Sequence, residues 1–409
     1  MAEGERLVVD RVGHRGDGVA TSGGKQVYIP YTLPGETVMI DRRGDRGDLR
    51  RNVSPSADRI DPICRYFGVC GGCALQHWRQ ESYRAWKRGL VIAALAREGV
   101  EAPVGDLVDA HGEGRRRAVL HARRTREGMT VGFMAHRSHT VVAIEHCPVL
   151  APALARAFAI GERIAAKLAA GKKPLDLQFT ATEGGLDVDL RGSGPLDAAA
   201  RSSLARTAAD ERLARLTRHG EIVAQLVEPT VQVGRTRVTL PPGTFLQATE
   251  AGENALAGIV REAAAGASNI ADLFCGVGTF ALRLAENARV LAIDADEAAV
   301  GALARAAKAP GLKPVEATTR DLFRRPLAAA EFKGFDAVVL DPPRQGAEAE
   351  ASALARAAVP RTIYVSCDPA SFARDARILC QGGYRLAGVT PVDQFRYSAH
   401  VELVGVFQR

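Results

Sequence analysis

The stretch NIADLFCGVGTFALRLA, Asn269–Ala285, decides the fold. An apolar run with Asp272 near its end breaks into a Gly-x-Gly turn at Gly276 and Gly278 and continues as helix-forming residues. That order brings backbone close to a nucleotide-like ligand. The next apolar run ends in VLAID, which puts Asp294 about 20 residues on, where an acid meets a ribose hydroxyl. Further along, AVVLDPP and TIYVSC repeat the pattern of a continuous apolar strand bounded by helix-forming residues. Strands of that kind predict a parallel sheet covered on both faces.

A dinucleotide site asks for a third glycine or alanine, and Ala281 supplies it, so the glycines leave NAD open. Two features point elsewhere. The unit lies in the last third of the chain, and the later strand ends in Asp341-Pro342-Pro343, a rigid acidic turn. Two prolines fix the backbone and remove two donors, which suits a pocket for a planar base at the carboxyl end of a strand. The combination predicts S-adenosylmethionine.

Working outward, three zones emerge. Residues 1–55 hold short β-runs (RLVVDRV, GVAT, KQVYIPY, ETVMIDRR) punctuated by glycine, which predicts a small β-barrel of the kind that often binds oligonucleotides. Residues 56–236 mix a helix-like ESYRAWKRGLVIAALAREG with alternating strands and alanine-rich helices, including one at 195–220, and read as α+β. Residues 237–409 form the α/β domain, with Pro241-Pro242-Gly243 near its start.

Composition narrows the class. The 409 residues are 46% hydrophobic and 25% charged, as in a globular protein. No run of about 18 apolar residues appears, and the first residues lack an apolar signal core, so a cytoplasmic protein without membrane contact is expected. Lys and Arg outnumber Asp and Glu by 54 to 47, and the excess clusters in DRRGDRGDLRR (Asp41–Arg51) and GRRRAVLHARRTR (Gly114–Arg126). Such runs suit a phosphate-binding surface.

Cysteines carry the remaining chemistry. Of seven, three stand in CRYFGVCGGC at Cys64, Cys70 and Cys73, and a fourth, Cys147, lies in IEHCPVL beside His146, a rival for the fourth position. In a reducing compartment clustered cysteines point to metal or catalysis, and four thiolates suit a [4Fe–4S] cluster or a zinc site. Cys275 and Cys380 read as packing or without a role. Cys367, in TIYVSCDPAS (Thr362–Ser371), sits where an apolar strand meets a polar turn. A buried thiol there is ordinarily a small hydrophobe.

Taken together, DLFCGVGTF, LDPPRQG, YVSCDPASFARD, the terminal HVELVGVF, the upstream TFLQ and the cysteine set resemble the S-adenosylmethionine-dependent RNA (uracil-5-)-methyltransferase family over nearly the whole chain. Within it, a TRAM-like barrel plus four cysteines is most similar to the bacterial 23S rRNA enzymes; the tRNA-directed branch typically lacks both. The resemblance implies a Rossmann-like methyltransferase domain, an α+β middle domain with a [4Fe–4S] cluster on Cys64, Cys70, Cys73 and Cys147, and an OB- or TRAM-like barrel. It implies cofactor contacts from Gln247, Phe274, Thr279, Asp294 and Asp341, beside the turn glycines Gly276 and Gly278. The expected substrate is RNA, 23S rRNA ahead of tRNA, and a monomer is expected.

The implied chemistry accounts for the residue types. C5 of uracil is too weak a nucleophile to take a methyl group directly, so a nucleophile must first add at C6. Cys367 takes that role, and Glu402 of HVEL becomes the base that removes the C5 proton. Arg344 would steady the developing enolate, and His400, two residues from Glu402 on a strand, would share its face. A base inside folded RNA must flip out to reach such a site. Two departures from the family stand out: Asp368 replaces the usual asparagine and adds a charge that raises the thiol pKa, and Arg396 and Tyr397 replace proline and histidine. Two other classes stay open, a non-catalytic RNA-binding protein and a methyltransferase of exocyclic amines that has no need of Cys367.

Overall fold

The computed structural model describes residues 4–126, 128–168 and 174–409. Residues 1–3, part of the expected barrel range, lie outside the described residues.

Strands β1 (Glu5–Val12), β2 (Gly18–Ser22), β3 (Lys25–Ile29), β4 (Thr37–Arg43) and β5 (Arg46–Ser54) close a barrel in the order β1-β2-β3-β5-β4. Alternation sends Leu7, Val9, Val27, Ile29, Val38 and Ile40 inward to form its core. The first arginine run is the β4–β5 hairpin. Part of its charge is used inside the barrel, since Arg50 pairs with Asp41 at 2.5 Å and Arg42 with Glu5 at 3.3 Å.

Helix α1 (Gln80–Arg97) and the short β6 (Val108–Asp109) follow. A second sheet then runs β13-β12-β11-β10-β7-β8-β9. Its strands are β7 (Arg117–Thr125), β8 (Gly128–Met134), β9 (Val141–Ala143), β10 (Leu175–Thr182), β11 (Gly185–Arg191), β12 (Arg215–Arg218) and β13 (Glu221–Gln225). Helices α2 (Ala157–Ala166) and α3 (Ala198–Asp210) pack on it over Leu177, Phe179 and Leu204. The alanine-rich helix expected at 195–220 is therefore shorter. Its tail becomes β12, held parallel to β11 by the buried Arg215–Asp187 pair at 2.7 Å, a tertiary contact that overrides local propensity.

After a hairpin of β14 (Thr230–Val233) and β15 (Thr236–Thr239) comes the α/β part. It contains α4 (Glu250–Ala263), β16 (Asn269–Leu273), α5 (Ala281–Leu284), β17 (Arg289–Asp294), α6 (Glu297–Ala306) and β18 (Val315–Thr319). Then come β19 (Ala337–Leu340), α7 (Glu348–Arg356), β20 (Arg361–Ser366), α8 (Pro369–Gln381), β21 (Arg385–Asp393) and β22 (Glu402–Gln408). The sheet order is β18-β17-β16-β19-β20-β22-β21-β6. Strands β16 to β20 are mutually parallel, while β22 runs antiparallel to both β20 and β21. Every residue of β19 is buried, as a strand covered on both faces requires.

Chain order reverses between β16 and β19, and that switch point is where open α/β sheets bind ligands. Residues 80–109, read from sequence with the middle zone, pack on this sheet: Val91, Leu95 and Leu107 share a core with Phe372, Leu379 and Phe407, and β6 pairs with β21. Cys380 lies inside α8 near its end. No helix among the described residues is long and apolar enough to cross a membrane.

Candidate active site

The turn after β16 is built from three unusual backbone conformations, Phe274 at φ 64°, Gly276 at 53° and Gly278 at 94°. The two glycines do different work. A Cβ on Gly278 would lie 2.4 Å from Leu303 Cδ1, so that glycine lets the turn pack on α6; a Cβ on Gly276 would meet nothing within 4 Å. The space over Gly276 is open. A left-handed phenylalanine is strained, and such strain gathers at ligand sites. The Phe274 ring stands 5.3 Å from Phe323, which is largely exposed.

Asp294, at the end of β17, accepts from Gly276 N at 2.9 Å and from Asp296 N at 2.9 Å, so its carboxylate also braces the turn. Thr279 is half-buried in the same turn. Asp341 follows β19 at the switch point, and burial, with Glu402, Asp272 and Asp294 nearby, pushes its carboxyl well up. Gln247 Nε2 reaches it at 3.4 Å. The chain thus brings Gln247, Phe274, Gly276, Thr279, Asp294 and Asp341 to the carboxyl ends of three adjacent strands.

Cys367 and Glu402 meet through register. The last β20–β22 pair is Ser366 opposite Leu403, so one step further Cys367 stands level with Glu402. Burial pushes the Cys367 thiol up to about 12, Glu402, Asp341 and Asp368 add to it, and Arg344 opposes. Burial likewise drives Glu402 to about 7, against a hydrogen bond from Gln394 and the charges of Arg344 and Lys87.

Two expectations change here, and a third gains a second reason. His400 does not share a strand with Glu402, because β22 begins at Glu402; His400 sits at the mouth, 3.2 Å from Arg344. The desolvated surroundings and Arg344 hold its imidazole low, near 4. Asp368 does raise the thiol, as the weakest of the four raising causes, and its residue type has a second reason: it caps α8, accepting from Ala370 N at 2.9 Å and Ser371 N at 3.0 Å. In the second arginine run, Arg116 is no surface cation, being buried against Glu253, which also holds Arg283. Asp368→Ala should therefore lower stability by about 1 kcal/mol through the lost cap. The same variant should speed alkylation of Cys367, and a denaturant midpoint with a labelling time course reads both.

Two contributors carry no sequence signal. Lys87 of α1, fully buried, bonds Asp393 at 2.5 Å and Phe395 O at 3.1 Å; Tyr83 bonds the other Asp393 oxygen at 2.8 Å and accepts from Tyr397 N at 2.9 Å. Helix α1 thereby pins the segment 393–401 that leads into Glu402, across roughly 300 residues of chain that sequence spacing cannot bridge. Lys87→Met should cost about 3–5 kcal/mol, because it leaves Asp393 charged and buried, and should show as a large fall in the denaturant midpoint.

The four cysteines form a second site. Cys64, Cys70, Cys73 and Cys147 line one cavity of about 290 Å³, shared with His146, Arg115 and Phe133. Among the described residues no group of three or more His, Cys, Asp or Glu side chains is placed to hold a single metal ion. Burial raises Cys70, Cys147 and Cys73, the last to about 11.

A glycine turn at the switch point, an acid at the end of the neighbouring strand and a rigid Asp-Pro-Pro turn, with a thiol and a carboxyl beside them, are the marks of a Rossmann-like methyltransferase. Residues 230–409 match the family described as tRNA (Uracil-5-)-methyltransferase. An RNA methyltransferase of Brucella suis, described as uncharacterized, is 44% identical over 99% of this chain and 98% of its own. The 23S rRNA (uracil(1939)-C(5))-methyltransferase of Chromohalobacter salexigens is 36% identical over 98% of this chain and 88% of its own. The fold is similar to that of the Pyrococcus abyssi tRNA (uracil-54, C5)-methyltransferase solved with S-adenosyl-L-homocysteine, at TM-score 0.74 and 21% identity, covering 98% of this chain and 100% of that one. The chain belongs to the S-adenosylmethionine-dependent RNA (uracil-5-)-methyltransferase family.

Proposed function

We propose that this enzyme makes 5-methyluridine in 23S rRNA, with Cys367 as nucleophile and Glu402 as base. The observation that carries the reading is the register that sets Cys367 level with Glu402 beside Asp341. S-adenosylmethionine supplies an electrophilic methyl group on its sulfonium. Gln247, Phe274, Gly276, Gly278, Thr279, Asp294 and Asp341 hold it at the switch point.

The thiol of Cys367 loses its proton to water at the mouth, and Sγ adds to C6 of the uracil. The C5–C6 electron pair moves toward O4 as an enolate, which Arg344 stabilises. C5 then takes the methyl carbon, leaving the donor as a neutral thioether. Glu402 removes the C5 proton, the C–H pair re-forms the double bond, and Cys367 departs as thiolate. Arg344 favours both charged forms, since it lowers the Cys367 and the Glu402 pKa.

The barrel, residues 1–55, is TRAM-like in this reading and holds RNA backbone while an unpaired target uridine flips into the pocket. Cys64, Cys70, Cys73 and Cys147 of the region 56–236, which line one cavity, would hold a [4Fe–4S] cluster through their thiolates. The methyltransferase domain is residues 237–409. Methyl transfer from labelled S-adenosylmethionine to 23S rRNA fragments and to a tRNA transcript, followed by nucleoside digestion, tests the substrate. Label in 5-methyluridine from the 23S fragments alone is expected. Label in the tRNA alone would transfer the reading to the tRNA branch, which the family description of residues 230–409 favours.

A further inference from the structure

Gln394 is fully buried beside the reacting residues and has no part in the chemistry above. Its Nε2 donates to Gln247 Oε1 at 2.7 Å and to Glu402 Oε1 at 3.1 Å, while its Oε1 accepts from Thr249 N at 3.3 Å. These contacts fix the amide orientation. A backbone N–H must face the oxygen, which leaves both hydrogens of the nitrogen for the two acceptors. Gln247, having accepted through Oε1, turns its own nitrogen toward Asp341. One side chain therefore touches the base and the cofactor-side glutamine together.

The surroundings are shaped to it. A Cβ on Gly252 would lie 2.7 Å from both Gln394 Cβ and Gln394 Oε1, so the first turn of α4 comes this close only because position 252 has no side chain. Glu402 faces the titratable groups of Asp341 and Cys367 and the cations of Arg344 and Lys87 from the elements packed around it. Among these neighbours Gln394 is the neutral donor, and it takes Oε1. No hydrogen bond among the described residues reaches Glu402 Oε2.

We propose that Gln394 is a positioning residue for proton removal: it holds Glu402 by Oε1 so that Oε2 faces C5. The proposal rests on Glu402 being the base. Without the donor, the carboxylate rotates and binds its proton more tightly, so release of the methylated adduct slows while its formation does not. A buried acceptor that loses its partner gives an effect of roughly tenfold.

The test uses the full chain, S-adenosylmethionine and the RNA that the wild type methylates, with ordinary uridine. In single-turnover reactions at saturating S-adenosylmethionine quenched in denaturant, Gln394→Met, which keeps the volume and removes the donor, should form the covalent methylated adduct at the wild-type rate and release it roughly tenfold more slowly. The pH midpoint of release should move upward, with the KM for RNA unchanged. Gly252→Ala, which displaces the amide without removing it, should slow the same step. Wild-type release with an unmoved midpoint in either folded variant overturns the proposal. Glu402→Gln separates the two levels: if it accumulates adduct and the Gln394 and Gly252 variants do not, this inference fails alone; if it accumulates none, the base assignment fails and takes this inference with it.

Discussion

Cys367→Ala should abolish formation of 5-methyluridine, leaving activity below about one part in 10⁴ of wild type, since without addition at C6 the C5 carbon has no enolate character. Binding should survive. The thiol is half-buried, its neighbours Asp341 and Glu402 stay in place, and removing it relieves the burial and repulsion that drive it to about 12. Affinity for S-adenosylhomocysteine, measured by calorimetry, should therefore change little while labelled methyl no longer reaches RNA. This contrast separates the proposed chemistry from methylation of an exocyclic amine, in which the variant would remain active.

Glu402→Gln should stop the reaction one stage later. Addition and methyl transfer proceed, but proton removal at C5 falls by about 10²–10⁴, the usual contribution of a general base. Ordinary uridine RNA should then stay attached to the protein as a methylated adduct visible on a denaturing gel, whereas the wild type shows only a trace. In the wild type, the acid form of Glu402 is inert in this step. With its pKa near 7, release should rise with pH up to about that value and flatten above it. A release rate independent of pH from 5 to 9 would contradict the assignment. Desolvation sets the sign: burial makes the carboxylate costly, so protonation at low pH stabilises the fold while it silences the base.

The glycine turn, the apolar strands and the Asp-Pro-Pro turn announced the parallel sheet because each is a local requirement of a strand buried on both faces and of a backbone that must approach a ligand. The positions of Asp294, Asp341 and Cys367 at strand ends were legible for the same reason. What sequence could not show were contacts made across the chain. Lys87 and Asp393 stand far apart in sequence, and nothing about a lysine in an amphipathic helix marks it as the one that enters the core. Gln394 lies eight residues from Glu402, yet only the β21–β22 pairing brings their side chains together. His400 was misplaced because a strand boundary moved by two residues, and Arg116 because an arginine run looks the same whether its members face water or a buried glutamate. The four cysteines line one cavity, whose size depends on where β9 and its following loop bring Cys147, which spacing does not show.

The central claim is a covalent bond between Cys367 and C6 of the target uracil. The most direct measurement is the mass of the protein after incubation with S-adenosylmethionine and 23S rRNA fragments carrying 5-fluorouridine, followed by nuclease and protease digestion. Fluorine at C5 cannot leave as a proton does, so the adduct accumulates. The account predicts one peptide bearing Cys367 with a methylated fluorouridine nucleotide attached, absent from Cys367→Ala. Methylation of the RNA with every peptide unmodified, or an adduct on another cysteine, would contradict it.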